Sequence, residues 1–496
     1  MRLPIAFVVS CVSVLTVTAV PLHAREAAVM VPIGERQLFL DDYIVSEINN
    51  LKRTMHQPAK RGAVIRPDPD RGENCLLTHS APSWDRRAKV FKLPVAETGS
   101  PQTTFTIRQS ADGVHWSRGK KPNKGFYSIL YDGSDPDPAR RYKAFAPPRG
   151  VAVSPDALTW TMLDVPGVPS SDEWNFSFDE KEHLFIGTVK QGGPYGRSHG
   201  LSTSKDFEHW TKPELIFHAD ELDQELAKGR IERRFADPKR QHPMYNIPAH
   251  YALDVYNFAV FRYESHYIGL AMMFHHTGTV PKGWKGFEKM ELPPWIREWV
   301  NKYSDYTGFF HVALTCSRDM KNWKRLGDRQ PFIDVSLLGT DAYDLQTISS
   351  PSNAVVRGDE LWFYYNGGKS YGVAAAAPGD RYAICLAVLR RDGFISLDAS
   401  EQAGSIITKP MRVPNGAKHL FVNVDAAAGE LHVLIRDTSG RSLPGFSVDE
   451  CVPVTDDRPR VKVTWKGKQD VSALAGKEVQ IRFRPRNAAF YSFWFE

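Results

Sequence analysis

"SADGVHW" (Ser110–Trp116) is followed along the chain by "SPDALTW" (Ser154–Trp160), "SKDFEHW" (Ser204–Trp210) and "SRDMKNW" (Ser317–Trp323). The shared frame is S-x-D-x-x-x-W. A frame that survives while the residues inside it change marks a repeated supersecondary unit. The tryptophans fall at 116, 160, 210 and 323, giving spacings of 44, 50 and 113 residues. The first two spacings match one four-stranded propeller blade. Each string follows an alternating run: TFTIRQ (104–109), GVAV (150–153), SHGLST (198–203) and HVALTC (311–316). Ser and Asp side chains bond the backbone of tight turns. The string therefore reads as a turn into an outer strand, with its Trp packed on the neighbouring unit, and is assigned no catalysis.

Two further strand candidates precede each string. They are CLLTHSA (75–81) and KVFKLPV (89–95), FYSILYD (126–132) and RYKAFA (141–146), WNFSFD (174–179) and HLFIGTV (183–189), and YNFAVFRY (256–263) and YIGLAMMF (267–274). A fifth unit runs TISSPSNAVV (347–356), ELWFYYNGG (360–368), YAICLAVL (382–389) and RRDGFISL (390–397). The long third spacing is explained by insertions at 211–253, partly helical, and 278–306, rich in Gly, Pro, Trp and Lys. Long insertions in a compact domain tend to be functional loops over a site. After 397 the strings stop, and runs such as HLFVNVDA (419–426), ELHVLIRD (430–437) and RVKVTWKG (460–467) alternate as strands of a β-sandwich. The expected fold is all-β: a five-bladed β-propeller over 25–397 followed by a C-terminal β-sandwich over 398–496.

Residues 1–24 read as a signal peptide, with Arg2, an apolar run and cleavage after Ala24, although Leu22 is bulky for the −3 position. An exported, periplasmic or extracellular protein is expected. No later stretch has the roughly 20 apolar residues of a membrane span. The formal net charge of +6 lacks the dense basic stripe that nucleic acid requires. Cys75, Cys316, Cys385 and Cys451 are scattered without a C-x-x-C pair, which suits buried thiols better than metal. The nearby histidines His250, His266, His275 and His276 show no convergent ligand spacing, and NGGKS (366–370) lacks the glycine spacing and helix of a phosphate loop. No cofactor and no metal are expected.

QLFLDDYIV (37–45), NLKRTMHQPAK (50–60), DPDPARRYKAF (135–145), GDRQPFI (327–333), LRRDGFISLDA (389–399) and the stretch from LFVNVDA to LAGKEVQIRF carry a resemblance over nearly the whole chain after the leader. It resembles secreted proteins labelled glycoside hydrolase family 32-like, frequent in planctomycete-type bacteria and related to families 43, 68 and 117. The resemblance implies a propeller with a glycan site. The W-M-N-D-P-N, R-D-P and E-C motifs of family 32 proper are missing from their places, since ADPK (236–239) lies in an insertion and DEC (449–451) beyond the propeller. Fructan specificity is therefore not implied.

A propeller gathers the starts of its inner strands at one mouth of a central funnel. Glycoside hydrolysis needs two carboxylates there, one acid and one nucleophile or base. Candidate acids at those starts are Glu73, Asp172 (beside Glu173), Asp254 and Asp344 (beside Asp341), with no role assigned to each. Asp172, Asp254 and Asp344 also match acidic positions of the resembled group, although Trp174 stands where that group has His. Trp174, Tyr256 and Tyr343 are candidate sugar platforms. Arg197 and Arg262 are candidate grips for a sulfate or uronate. The expected partner is thus a carbohydrate, neutral or anionic. The functions left open are a glycoside hydrolase, a non-catalytic carbohydrate-binding propeller and a structural module.

Overall fold

The protein is described by a computed structural model over residues 27–98, 103–377 and 379–496; the leader at 1–24 lies outside the described residues. The chain is mostly β. Three sheets are antiparallel meanders in chain order. One holds Ile129–Tyr131, Tyr142–Phe145, Val151–Ser154 and Thr161–Met162; the next Trp174–Asp179, Leu184–Gly193, Gly196–Ser204 and Glu214–Phe217. The third holds Ala252–Tyr263, His266–Val280, Asp305–Ser317 and Lys324–Arg325, with Pro331–Ile333 added. The first and fifth units are joined into one nine-stranded sheet by a parallel contact of Tyr382 with Cys75.

The repeated string is the turn before the outer strand. In all four copies the Asp Oδ1 accepts two backbone N–H groups two and three residues on, at 2.7–2.9 Å. The indole N–H donates to the carbonyl three residues back at 2.8–3.0 Å. The residue owning that carbonyl has positive φ: Gly113, Ala157, Phe207 and Met320 at +82°, +67°, +71° and +60°. Only one of them is glycine. Holding the others left-handed costs about 1–2 kcal/mol each, offset by the Asp and indole bonds. Trp116, Trp210 and Trp323 then pack on the preceding unit, against Tyr364 (6.1 Å), Phe145 (4.6 Å) and Phe217 (6.5 Å).

The fifth unit closes differently from its sequence reading. The stretch 390–397 does not supply its outer strand. Arg390 ends the strand Tyr382–Arg390, Asp392 turns with φ of +61°, and Ile395–Ala399 pairs with Lys52–Met55 and Ala488–Phe495. The outer strand is instead Ala59–Ile65, paired on Tyr382–Arg390. The strands within 29–55, grouped by sequence with the first module, also pair with strands after 395. Local alternation reports that a segment is a strand, and its distant partner leaves no local trace.

Those pairings build two six-stranded sheets. Alternation sets their buried faces: Leu431, Val433 and Ile435 are buried from Glu430–Arg436, and Ile481 and Phe483 from Glu478–Arg486. They share one core with Val422, Trp465, Phe490 and Phe493. The modules meet at Asp392, which is fully buried. Its carboxylate pairs with Arg36 (2.6 Å) and accepts from Tyr263 (2.6 Å), Ser492 (2.6 Å) and Asn423 (3.1 Å). Arg36 also lies over Trp494, 3.7 Å from the ring centroid. Cys75, Cys316, Cys385 and Cys451 are buried free thiols, and burial pushes Cys75 up to about 11.

Asp392→Ala leaves Arg36 buried without its partner. A loss of about 3–5 kcal/mol is expected, read as a lowered chaotrope midpoint, whereas Asp457→Ala, at an exposed ion pair, should shift it by under about 1 kcal/mol. Equal midpoints for the two variants would refute the role of Asp392.

Candidate functional site

Four chain segments run in the same sense between two cavities, and a fifth reaches one of them. Cys75, Leu77 and His79 line a cavity of about 370 Å³, and Ala81 to Ser83 line another of about 470 Å³. Glu173 and Asn175, then Ser177 and Phe178, follow the same order, as do Tyr256 and Asn257, then Phe261 and Arg262. Thr347, Ser349 and Ser350, then Asn353 and Ala354, repeat it, while Ile129–Ser134 reaches only the larger cavity. The cavities therefore lie at opposite ends of these strands, and the 370 Å³ cavity sits at the strand starts, where the sequence placed the site.

This cavity joins hydroxyl- and amide-rich walls to aromatic rings. Glu173 is its one lining carboxylate among the described residues. The side chain is 17% exposed, accepts from Asn257 Nδ2 at 2.8 Å and faces His79 Nε2 at 3.9 Å. Asn257 Oδ1 accepts in turn from Asn175 Nδ2 at 3.4 Å. Across the cavity, the Asn366 amide is fixed by the Thr78 backbone, receiving from its N–H and donating to its carbonyl, both at 2.9 Å. The Ser350 hydroxyl, His79 Nδ1 and Trp174 Nε1 are buried without hydrogen-bond partners. Tyr256 and Tyr371 face each other with ring centroids 6.2 Å apart. Burial, with each ring's hydroxyl beside the other, holds Tyr256 well above the usual phenol range.

The segment carrying Tyr371 is pinned from outside. Its 3-10 turn Gly372–Ala376 is held by Asp305, whose Oδ2 accepts from Val373 N at 3.0 Å. A Cβ on Gly372, where φ is +67°, would stand 2.5 Å from that oxygen. Burial raises the Asp305 carboxyl above its ordinary pKa, although the backbone N–H groups oppose it.

The sequence-predicted residues divide. Tyr256 lines the cavity, and Trp174 stands between Glu173 and Asn175 with its ring 5.8 Å from His79. Arg197 lies 5.3 Å from the Tyr256 ring and binds Asp254 at 2.9 Å. Asp254 is buried; its Oδ2 also meets His276 Nε2 at 3.1 Å, and its Oδ1 has no partner. The Asp172 side chain is 67% exposed and ion-paired to Lys190. Burial acts to raise its pKa, but Lys190 outweighs this and lowers it. Glu73 accepts from Asp68 N at 3.0 Å and pairs with Arg108 at 3.7 Å. Asp344 is buried elsewhere, tied to Lys60, to Ser336 (2.9 Å) and to Tyr365 (3.1 Å). Tyr343 is buried with its hydroxyl on Asp380. Arg262 belongs to the opposite cavity and pairs with Asp179 at 3.6 Å. These four predicted acids do not converge on the cavity lining. The sequence reading noticed Glu173 without choosing it, and missed His79, Asn175, Asn257, Asn366 and Tyr371. One signal was available: Glu173, just ahead of the strand Trp174–Asp179, and Asn175 on it are two apart, the spacing that shares a face in extended chain.

No family model matches the chain, and no curated protein does. Among solved structures it is similar to one titled glycoside hydrolase, at 12% identity and a TM-score of 0.39 over 67% of this chain and 92% of that one. An exo-β-1,3-galactanase from Phanerochaete chrysosporium matches at 10% and 0.34, covering 88% and 100%. A GH32 β-fructofuranosidase from Bombyx mori matches at 8% and 0.37, covering 89% and 94%. Likeness at this level carries no argument about activity.

Three histidines near the site are fully buried. His199 Nε2 donates to the Tyr256 carbonyl at 3.1 Å, and His275 Nε2 meets His311 Nδ1 at 2.8 Å. Burial lowers His199 to about 4, His311 to about 3 and His275 well below 6.5. The unfolded chain therefore binds more protons than the folded one below 6.5, so stability rises with pH there and is lost on acidification. Between pH 6.5 and about 4 each contributes a slope of about 1.4 kcal/mol per pH unit. Denaturant midpoints should fall steeply from pH 7 to pH 5, and His311→Gln should flatten that fall.

Proposed function

We propose that this chain is an exported, carbohydrate-active five-bladed propeller braced by a C-terminal sandwich, and that it hydrolyses glycosidic bonds in the 370 Å³ cavity. The observation that supports this reading is the lining itself. A sugar presents hydroxyls at its edges and C–H groups on its faces. Amides, hydroxyls and one carboxylate beside two tyrosine rings suit both. The volume is right for a small ligand or one or two sugar units.

In this reading Glu173 donates a proton to the glycosidic oxygen or activates water. Asn257 orients its carboxylate and His79 faces it. The second carboxylate that hydrolysis needs comes from the rim acids Asp172, Glu73 or Asp254. Asp344, enclosed by Lys60 and Tyr365, holds structure. The family-32-like affiliation and export belong to the same proposal; the first rests on the sequence stretches that carry the resemblance, the second on the leader-like residues 1–24.

One observation favours a second reading, a non-catalytic sugar-binding propeller: Glu173 is the single lining carboxylate among the described residues. Wild type, Glu173→Gln, Asp172→Asn and Asp254→Asn should be assayed on a broad glycan panel for both hydrolysis and binding. Hydrolysis by wild type that falls about 10²–10⁴-fold in Glu173→Gln, with binding kept, is the expected outcome. Binding without any turnover, unchanged in Glu173→Gln, selects the second reading.

A further inference from the structure

A cavity of about 580 Å³ adjoins the central one across the segment 370–377. Gly372 and Ala375 face the central cavity, Ser370, Ala374 and Ala377 face its neighbour, and Tyr371 lines both. The wall is thin because it is a 3-10 turn built of glycine, valine and alanines. Both insertions meet at this second cavity. The first contributes Gln241 and His242, and the second contributes Lys289, Met290 and Glu291.

The charge there is one-sided. Lys289, Lys369 and Arg381 line it against a single carboxylate, Glu291, among the described residues. Lys369 has a partner in Asp380 at 3.3 Å, whereas Lys289 makes no ion pair among the described residues. An independent observation points the same way. Ser370 is 9% exposed and lines the cavity, and its buried hydroxyl has no hydrogen-bond partner among the described residues. An orphaned buried hydroxyl destabilises the fold, a penalty relieved by an acceptor entering from the cavity. An acceptor that also satisfies lysines is an anion.

We propose that this second cavity is an anion subsite. It takes a sulfate ester or a carboxylate carried by a glycan whose neighbouring sugar occupies the central cavity. The inference rests on the glycan reading of that cavity and adds the substrate class. Ser370 donates to the anion, Lys289 and Lys369 neutralise it, and Tyr371 is the ring shared by adjoining sugars. The insertions in the fourth unit are what build the subsite.

Calorimetric binding tests it, using sulfated galactan and galacturonan oligosaccharides, a neutral galactan of matched length and sodium sulfate alone. Wild type should bind one of the charged glycans at least about tenfold more tightly than the neutral one, and added salt should erase the difference. Lys289→Gln and the double variant Lys289→Gln/Lys369→Gln should remove that preference and leave neutral binding unchanged, with unaltered melting as the control for folding. Ser370→Ala should weaken charged binding alone. Competition by sodium sulfate identifies the sulfate ester; galacturonan binding without it identifies the carboxylate. Neutral and charged glycans bound equally by wild type, or weakened alike by the lysine variants, overturns the subsite and leaves the central cavity's reading standing. No binding of any glycan overturns both.

Discussion

Asp392 is the point on which both modules bear. One buried carboxylate takes hydrogen bonds from Arg36, Tyr263, Asn423 and Ser492. These donors come from the segment ahead of the first unit, from the fourth unit and from both central strands of one sheet of the second module. Burying a charge is tolerated when every lone pair is met, and here the donors can meet it only if all four segments are in register. The residue follows the last strand of the fifth unit at positive φ, so the turn that sends the chain into the second module also supplies the anion that locks it. A second, half-buried pair repeats the logic nearby. Arg318, inside the fourth copy of the repeated string, holds Asp41 at 2.7 Å and 3.0 Å.

What the sequence displayed plainly was local. The S-x-D-x-x-x-W frame announced its turns because the bonds that shape them, from the Asp Oδ1 and the indole N–H, lie within three residues of the Asp or Trp concerned. Strand positions followed from alternation, and Glu360–Gly368 was readable to the residue, whereas 267–274 extends to His266–Val280 and 126–132 shrinks to Ile129–Tyr131. Pairing across the chain was not readable. Ala59–Ile65 is mostly exposed and weakly alternating, and nothing within it names Tyr382–Arg390 as its partner. The same limit misplaced 390–397, whose Asp392 imitates the repeat's Asp while serving another purpose.

The site shows a similar division. The sequence reading looked for acids at strand starts, and Glu173, just ahead of Trp174–Asp179, is the one acid that lines the 370 Å³ cavity among the described residues. Choosing among them required knowing which acids already had partners. Asp344 is enclosed by Lys60 and Tyr365, and Asp254 shares its Oδ2 between Arg197 and His276 while its Oδ1 has no hydrogen-bond partner among the described residues; these contacts join residues far apart in sequence. The amides that shape the cavity, Asn175, Asn257 and Asn366, carry no charge pattern to single them out. Their importance is visible only as hydrogen bonds to Glu173, to each other and to Thr78.

The strands within 29–65 pair with strands that lie beyond residue 380. Each module therefore contains a seam between the earliest and latest parts of the chain. Emerging in order, the polypeptide can form its three middle meanders early, but the seam of the first module must wait for Tyr382–Arg390 and that of the second for Ala488–Phe495. Contacts of such sequence separation are entropically late and slow. Until then, the open edges of the first and fifth units and of both six-stranded sheets are unpaired β templates. The interval between synthesis of Ala59–Ile65 and arrival of its partner is when this chain is most exposed to intermolecular strand pairing, and chaperone protection would matter most then.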